Sequence, residues 1–514
     1  MPGNAVSKLA LIEGGATRRP MAAATLLAIF IFVSCYFRLF IFPHLPLLPG
    51  GDVIGFFFSG NRILAGDRPY RDFAEALPVG TDLFYATVIK LFGFYTWVPD
   101  IVMPVLAAGT TLLLTLVARR LTRGVATLLP GLMLVNFAMP NEAFNATHHW
   151  FSAFFAIAAI LVLLRGASFS RVAAAGALGG LATCFTQTTG GLLLAVMAIY
   201  IVCRSGAKDD PARWRKAALI LAVSLGVFAA VNGYFIWRAG FSQWFASVVI
   251  FPVKYFRIPA INNWRVVKID FRDHPTVSRW LTFPFLYAAV PFACIVLAVV
   301  LCRRERGDQP ELWDRLFLVS LCGTAMFLAV ISAPSLLRLS SASPPTMVLI
   351  AWVLGREGRL TRIVKIAAVS VATLIAIVVP IQHQRRWHAA LDLPGGKTAF
   401  FDRVTYEEDR WVQDRVHPGQ YFFGMPAMYL PFHMLNPAPV FALDRTDYTR
   451  PEQVAAAVRG LDEHDVPMMI IRDTPTPPTE QSNNNSRPFW EFVRANYRPT
   501  KEFPNGDVMW ERIR

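Results

Sequence analysis

Only 17% of the 514 residues are charged, so charged side chains set between apolar runs are the first place to look for chemistry. Asp52 opens the segment Gly51-Asp52-Val53-Ile54-Gly55-Phe56-Phe57, just past a long apolar run. A carboxylate there can accept a proton from a bound hydroxyl, or cap the helix that the next residues predict. Asp72, Glu75 and Asp82 follow in the same stretch. His148 and His149 stand in Asn141-Glu142-Ala143-Phe144-Asn145-Ala146-Thr147-His148-His149-Trp150. They can bind an anion, orient a second substrate or join Glu142 at a metal. Adjacent residues on a helix point about 100° apart, which argues against joint ligation of one metal. Lys254-Tyr255-Phe256-Arg257 mixes cations with aromatics, and Arg338 stands in Ser335-Leu336-Leu337-Arg338-Leu339-Ser340. Such cations either snorkel to an interface or hold an anionic ligand.

The elements that must position these residues are apolar. The chain is 54% hydrophobic, against a charged share of about a quarter in ordinary soluble proteins. Runs long enough to cross a ~30 Å hydrocarbon layer recur along most of it. The fold class expected is an α-helical polytopic membrane protein of about eleven spans with a small C-terminal α/β domain. The spans are placed at 21–42, 98–118, 124–140, 149–165, 171–185, 188–203, 217–237, 281–302, 313–333, 344–355 and 364–380. The first is too long for the apolar region of a signal peptide, and no small-residue cleavage site follows it.

Orientation follows from the cations. Arg18/Arg19, Arg119/Arg120/Arg123, Arg165/Arg171, Arg204–Lys216, Arg303/Arg304/Arg306 and Arg356–Lys365 all fall on one side of that arrangement. The positive-inside tendency makes that side cytoplasmic, with the N-terminus there and the C-terminal tail outside. The outward loops are then 43–97, 141–148, 238–280 and 334–343. Loop 238–280 is itself net positive, as a loop holding an anionic ligand would be.

Two regions are expected: 1–380 in the membrane, with the outer loop 43–97, and a soluble α/β domain over 381–514. In the tail, Tyr421–Gly424, Val440–Leu443 and Pro467–Asp473 read as short strands. Pro451–His464 and Pro488–Tyr497 read as helices, and Thr474–Ser486 as a loop. Asn505-Gly506 reads as the turn of a hairpin between Lys501–Phe503 and Val508–Glu511. No glycine-rich phosphate loop appears, so no cofactor is assigned. The net charge of +15 would suggest nucleic acid in a soluble protein. Here the cations sit in short segments between apolar runs, and no nucleic-acid-binding motif accompanies them. The six cysteines lie in or beside apolar runs without metal or disulfide spacing, and read as small packing residues.

The first outer loop carries a resemblance. Asp52 is followed by Leu64-Ala65-Gly66, Pro69-Tyr70, Asp72-Phe73, then Leu77-Pro78-Val79 and Phe92-Gly93. This order resembles the first periplasmic loop of GT-C glycosyltransferases. The closest branch is the family-39-like group that includes protein O-mannosyltransferases and the aminoarabinose transferase of lipid A. The likeness continues at Gly179-Gly180-Leu181-Ala182 with Gln187-Thr188, around Arg338, and in the tail at Pro418-Gly419-Gln420-Tyr421-Phe422 and Met469-Ile470-Ile471. Two departures stand out. Many relatives carry a second acid beside the first, where this chain has Val53, and a double proline where this chain has Pro78-Val79.

The resemblance implies inverting transfer of a sugar from a polyprenyl-phosphate donor to an acceptor hydroxyl at the outer face of the inner membrane. The acceptor would be a glycolipid, a polysaccharide or a protein. A hydroxyl is a poor nucleophile at neutral pH, so a positioned carboxylate should take its proton. Asp52 is the first candidate, with Asp72, Glu75 or Asp82 as a second acid. A phosphate leaving group needs cations rather than a general acid. Lys254, Tyr255, Arg257 and Arg338 are candidates for holding it, as are His148 and His149. No metal is implied. Two other readings compete: a transporter or flippase for an anionic or lipid-linked solute, which needs polar groups at mid-membrane depth such as Gln187, and an assembly subunit, which would leave the charged residues dispersed.

Overall fold

The computed structural model describes residues 5–139, 144–255, 277–303, 309–441, 443, 449–472 and 485–513, with backbone alone for 5–20 and 277–289. Helix α1 (Ala5–Leu39) leads into a two-residue ribbon, β1 (Phe40–Ile41) and β2 (Leu45–Pro46). The first outer loop then holds two short helices, α2 (Asp52–Leu64) and α3 (Gly80–Phe92). A bundle follows: α4 (Trp97–Ala118), α5 (Leu129–Met133), α6 (His148–Leu163), α7 (Phe169–Phe185), α8 (Gln187–Cys203) and α9 (Arg213–Ala239). Two short helices, α10 (Phe241–Phe245) and α11 (Phe251–Lys254), precede α12 (Val277–Arg303) and α13 (Pro310–Val330). The last bundle elements are α14 (Leu336–Ala342), α15 (Pro344–Leu354) and α16 (Arg359–Arg386).

Among the described residues, five helices are long and apolar enough to cross a membrane: α1 from Met21, α4, α9, α13 and α16. Helices α14 and α15 together make a sixth, bent by 54° at Ser343. The bend has a local cause, because Pro344 and Pro345 open α15 and offer no backbone N–H to continue α14. Shorter apolar helical segments cover 124–138, 148–163, 169–185, 187–203 and 290–303. Each apolar run expected from the sequence is helical over most of its described residues, the first ending at Leu39 and the ninth at Val330.

Small residues bring the bundle helices close. An added Cβ at Gly176 or Gly180 on α7 would sit 2.7 Å from the Ile220 carbonyl oxygen and 2.8 Å from that of Ser224 on α9. Glycines four apart on one helix face allow this backbone approach, which substitutes for a hydrophobic drive inside lipid. In the outer loop, a Cβ at Gly80 would run into the Cys184 carbonyl oxygen, so the start of α3 lies directly on the end of α7.

At one end of the bundle the cations gather. Burial first, and then the guanidiniums of Arg165, Arg315, Arg119 and Arg171, push Arg120 below its ordinary range. The Ser205 N–H donates to Asp314 there, and Arg315 Nη1 donates to the Arg120 carbonyl at 3.0 Å.

The tail pairs β3 (Ala389–Leu393) with β4 (Gly396–Phe400) as a hairpin, then continues with α17 (Arg403–Gln413), α18 (Pro426–Phe432) and α19 (Pro451–Glu463). Strand β5 (Met468–Arg472), helix α20 (Arg487–Asn496), β6 (Tyr497–Glu502) and β7 (Asp507–Arg512) complete it. The antiparallel sheet has the order β5-β7-β6. The strand expected at Pro467–Asp473, both helices and the Asn505-Gly506 hairpin are present, and 474–484 of the expected loop lies outside the described residues. The segment Tyr421–Gly424 contributes only isolated bridges, to Leu435 and Met469.

Among its described residues, 440, 441 and 443, the strand expected around Val440 does not form. The backbone there is taken up elsewhere: the Pro439 carbonyl accepts from Ala74 N–H, the Ala438 carbonyl from Arg62 and the Val440 carbonyl from Asn436. Docking on the outer loop has replaced a sheet ladder. The β3–β4 hairpin was not anticipated, although Pro394-Gly395 marks its turn, and α16 runs on to Arg386 before the first strand.

Tail and outer loop share a core. Phe58 of α2 stacks on Tyr429 of α18 with centroids 4.7 Å apart and meets Phe441 edge-on at 5.6 Å. Phe58→Ala is expected to cost about 3–5 kcal/mol. A fall in the unfolding temperature of the detergent-solubilised protein, with faster proteolysis of the tail, is the measurement; an unchanged profile would mean that the tail is held without this ring.

Candidate active site

The residue before α2 is Gly51, whose φ of 73° suits a residue without a side chain. Asp52 is the first residue of the helix rather than its cap, and no side-chain capping bond is made at this terminus. The capping role that competes with chemistry for Asp52 is thus not what the geometry uses. The N-terminal position still favours a negative charge, through the helix dipole.

Asp52 faces a cavity of about 660 Å³. Its other lining residues include Glu75, His148, His149, Gln187 and Arg338, with Met425, Pro426, Ala427 and Phe441 contributed by the tail. The wall is assembled from the first outer loop, the start of α6, the α7–α8 turn, Pro252, the α13–α14 connection and the tail. Packing around Asp52 raises its carboxyl above the ordinary range, and the Arg338 guanidinium opposes that rise.

The supports of each group are local. The Asn145 side chain donates to the Gly50 carbonyl at 3.0 Å, and Tyr85 Oη donates to the Ala146 carbonyl at 2.6 Å. These bonds tie the histidine segment to α2 and α3. His148 Nδ1 lies 2.9 Å from Thr186 Oγ, which itself donates to the His148 carbonyl at 3.3 Å. With the hydroxyl proton used there, Nδ1 of His148 is the donor and Nε2 carries the free lone pair. The two histidine rings lie against each other, centroids 3.8 Å apart, closer than their divergence on an ideal helix suggests. Ser335 caps α14, and Arg338 Nη1 donates to the Ala333 carbonyl at 2.7 Å, which fixes the direction of the guanidinium.

The structure therefore brings together Asp52, His148, His149 and Arg338 from three distant parts of the chain. It sets the other candidates apart. Asp72 pairs with Arg68 through bonds of 2.7 and 2.8 Å, which hold its carboxyl below the ordinary range, and it does not line the cavity. Asp82 is 1% exposed and lies behind the wall. Lys254 is exposed outside the cavity, and Tyr255 lies under the Arg450 guanidinium, 4.0 Å from ring centroid to carbon. Arg257 and Glu142 lie outside the described residues. Gln187, read from sequence as a mid-membrane polar group, sits instead at the α7–α8 turn. Its amide nitrogen donates to Ala76 and Val248 carbonyls. The cavity contribution of the tail was not anticipated, because apolar residues such as Met425 and Phe441 carry no local signal of a site.

No protein-family model matches the chain, and no curated protein sequence does. Solved structures do match. ArnT from Cupriavidus metallidurans, bound to undecaprenyl phosphate, aligns over 96% of this chain and 97% of its own, with a TM-score of 0.59 and 12% identity. The oligosaccharyltransferase AglB from Archaeoglobus fulgidus, in complex with an inhibitory peptide and a dolichol-phosphate, aligns over 88% of this chain and 69% of its own, with a TM-score of 0.53 and 11% identity. The Archaeoglobus fulgidus enzyme tethered to an acceptor peptide covers 97% and 74%, with a TM-score of 0.53 and 10% identity. Identities this low speak for architecture, and the architecture is shared almost end to end: this chain has the fold of the GT-C glycosyltransferases.

Proposed function

We propose that this protein is an inverting glycosyltransferase that moves a sugar from a polyprenyl-phosphate donor to an acceptor hydroxyl at the outer face of the inner membrane. The convergence of Asp52, His148, His149 and Arg338 on a single cavity carries this reading. Separated groups of these types are what the reaction needs, and dispersal would have favoured an assembly subunit. The lining segments come from the expected outward loops, the α7–α8 turn and the tail, while the arginine-rich segments meet at another end of the bundle. That supports eleven crossings, a cytoplasmic N-terminus and an extracytoplasmic domain over 381–514. Ligands of the solved neighbours support a lipid-phosphate donor, since undecaprenyl phosphate and dolichol-phosphate are bound in proteins of this fold.

In the proposed reaction the acceptor oxygen attacks the anomeric carbon from the face opposite the phosphate. Asp52 takes the hydroxyl proton as the carbon–oxygen bond forms. The bond from the anomeric carbon to the phosphate oxygen breaks, and its electron pair leaves on the polyprenyl phosphate. Arg338 stabilises that growing charge, with the histidines beside it as hydrogen-bonding groups. The acceptor is a glycolipid, a polysaccharide or a protein; no cofactor and no nucleic acid takes part.

The test is transfer of radiolabelled sugar by the purified protein in lipid, from a panel of polyprenyl-phosphate sugars to a membrane-extract acceptor. Label in the acceptor fraction is expected. Label that instead reaches the opposite leaflet on its intact lipid would replace this reading with a flippase.

A further inference from the structure

Glu75 lines the cavity, yet its second contact is not with a cation. Its Oε1 accepts from the Ala76 and Leu77 N–H groups at 2.8 and 2.9 Å. Behind it lies Asp82, fully buried, with no donor to either carboxyl oxygen among the described residues. What Asp82 meets is the Glu75 carboxyl itself, its side-chain hydrogen-bond partner. Two carboxyls in hydrogen-bond contact require a proton between them, since two bare carboxylates would repel. Gln187 stands beside the pair: its amide nitrogen is spent on Ala76 and Val248, and its buried Oε1 has no hydrogen-bond partner among the described residues. Thr188 and Thr189 line the same corner.

We infer that this corner, Glu75 backed by Asp82 and flanked by Gln187, is the subsite for the donor's sugar ring, which it reads through the ring hydroxyls. The inference rests on the transferase reading and deepens it, by separating the place of the sugar from that of the phosphate at Arg338. Sugar hydroxyls both donate and accept. Gln187 Oε1 supplies an acceptor, and Glu75, keeping its own proton while the Asp82 proton bridges the pair, supplies both functions at once. Protonation of both carboxyls has a second consequence. Asp52 and Arg338 already offset one another in the cavity, so an additional bare carboxylate would repel an anionic phosphodiester. With both carboxyls protonated the pair is neutral, which keeps the sugar corner compatible with that charge.

Asp82 is a positioning residue that acts through Glu75. Burial pushes the Glu75 carboxyl up to about 7, against the pull of the Leu77 N–H, Asp82 and the Ala76 N–H. Burial and then the Glu75 charge push Asp82 well above its ordinary range. The titratable and charged groups around the pair are Tyr70, whose hydroxyl donates to the Leu77 carbonyl, and across the cavity Asp52 on α2, His148 and His149 on α6 and Arg338 on α14. Cys184 lies on α7 where Gly80 packs. Because protonated Glu75 favours the anionic donor, donor binding weakens as pH rises through about 7.

The experiment measures binding of undecaprenyl phosphate, and of undecaprenyl-phosphate hexoses and pentoses, to the full-length protein in lipid nanodiscs between pH 6 and 9. For the wild type the preferred sugar conjugate should bind more tightly than the bare lipid phosphate, with affinity falling up to about tenfold per pH unit above the break. Glu75→Ala should bind all conjugates alike and keep the bare lipid. Glu75→Gln, the conservative variant, should keep binding but lose the alkaline fall. Asp82→Asn retains a donor to Glu75 and should leave the break near its wild-type pH, whereas Asp82→Ala should move it upward. Unaltered sugar discrimination in Glu75→Ala, or an unmoved break in Asp82→Ala, overturns the inference and leaves the transferase reading standing. A wild type that binds neither the bare lipid nor any conjugate overturns the transferase reading and this inference with it.

Discussion

Asp52→Asn should lower the rate of sugar transfer by about two to four orders of magnitude while donor binding stays close to that of the wild type. The amide keeps the shape of the side chain and its place at the start of α2, so the helix and the cavity wall should survive. What it loses is the ability to take a proton. It also removes a negative charge near Arg338, which makes donor binding no weaker. The pH dependence provides an independent check. Asp52 must be ionised to act, and packing raises its carboxyl above the ordinary aspartate range. The wild-type rate should therefore fall as the medium is acidified, at a higher pH than an exposed aspartate would dictate, and the residual rate of Asp52→Asn should lack that limb. Transfer at more than a tenth of the wild-type rate in Asp52→Asn would move the base elsewhere in the cavity, and Glu75 would be the next carboxyl to test.

Arg338→Ala should reduce kcat/KM by about a hundredfold or more, the scale expected when a preorganised donor to a developing oxyanion is removed. The arginine is held by Ser335 at the start of α14 and by its bond to the Ala333 carbonyl, so its loss changes the chemistry without emptying a core position. Arg338→Lys should recover only part of the loss, because an ammonium cannot form the paired bonds of a guanidinium. One further effect distinguishes an electrostatic role from a structural one. The Arg338 charge restrains the upward shift of Asp52, so in Arg338→Ala the acid limb of the rate profile should move to higher pH. A loss of activity with an unmoved limb would mean that the two groups do not share one field.

The sequence identified Asp52, His148, His149 and Arg338, and all four reach the cavity. Each stands out as a polar group in a short outward segment beside an apolar run, where the resemblance implies that lipid donor and acceptor meet. The same reading overstated Asp72 and Lys254. Asp72 answers a purely local need, the arginine four residues earlier, and nothing in single-sequence spacing separates that use from a catalytic one. Glu75 and Asp82 were visible only as alternatives to each other. Their partnership forms where the loop carrying Glu75 meets the first turn of α3, and the spacing of the two residues does not by itself mark that contact.

Composition and hydropathy by themselves determined where the helices lie, because burying a run of apolar residues in lipid depends on length and content alone. Cation placement predicted which loops belong together. Turn chemistry placed the last hairpin at Asn505-Gly506. Tertiary structure decided the rest. It turned the chain around Val440 away from a sheet, made the tail part of the cavity wall and set the two acids side by side. The first two of those outcomes come from contacts between residues hundreds of positions apart, such as Phe58 on Tyr429. Local propensity is a property of neighbouring residues, whereas a site such as this is a property of which distant surfaces fit one another closely enough to exclude lipid and water.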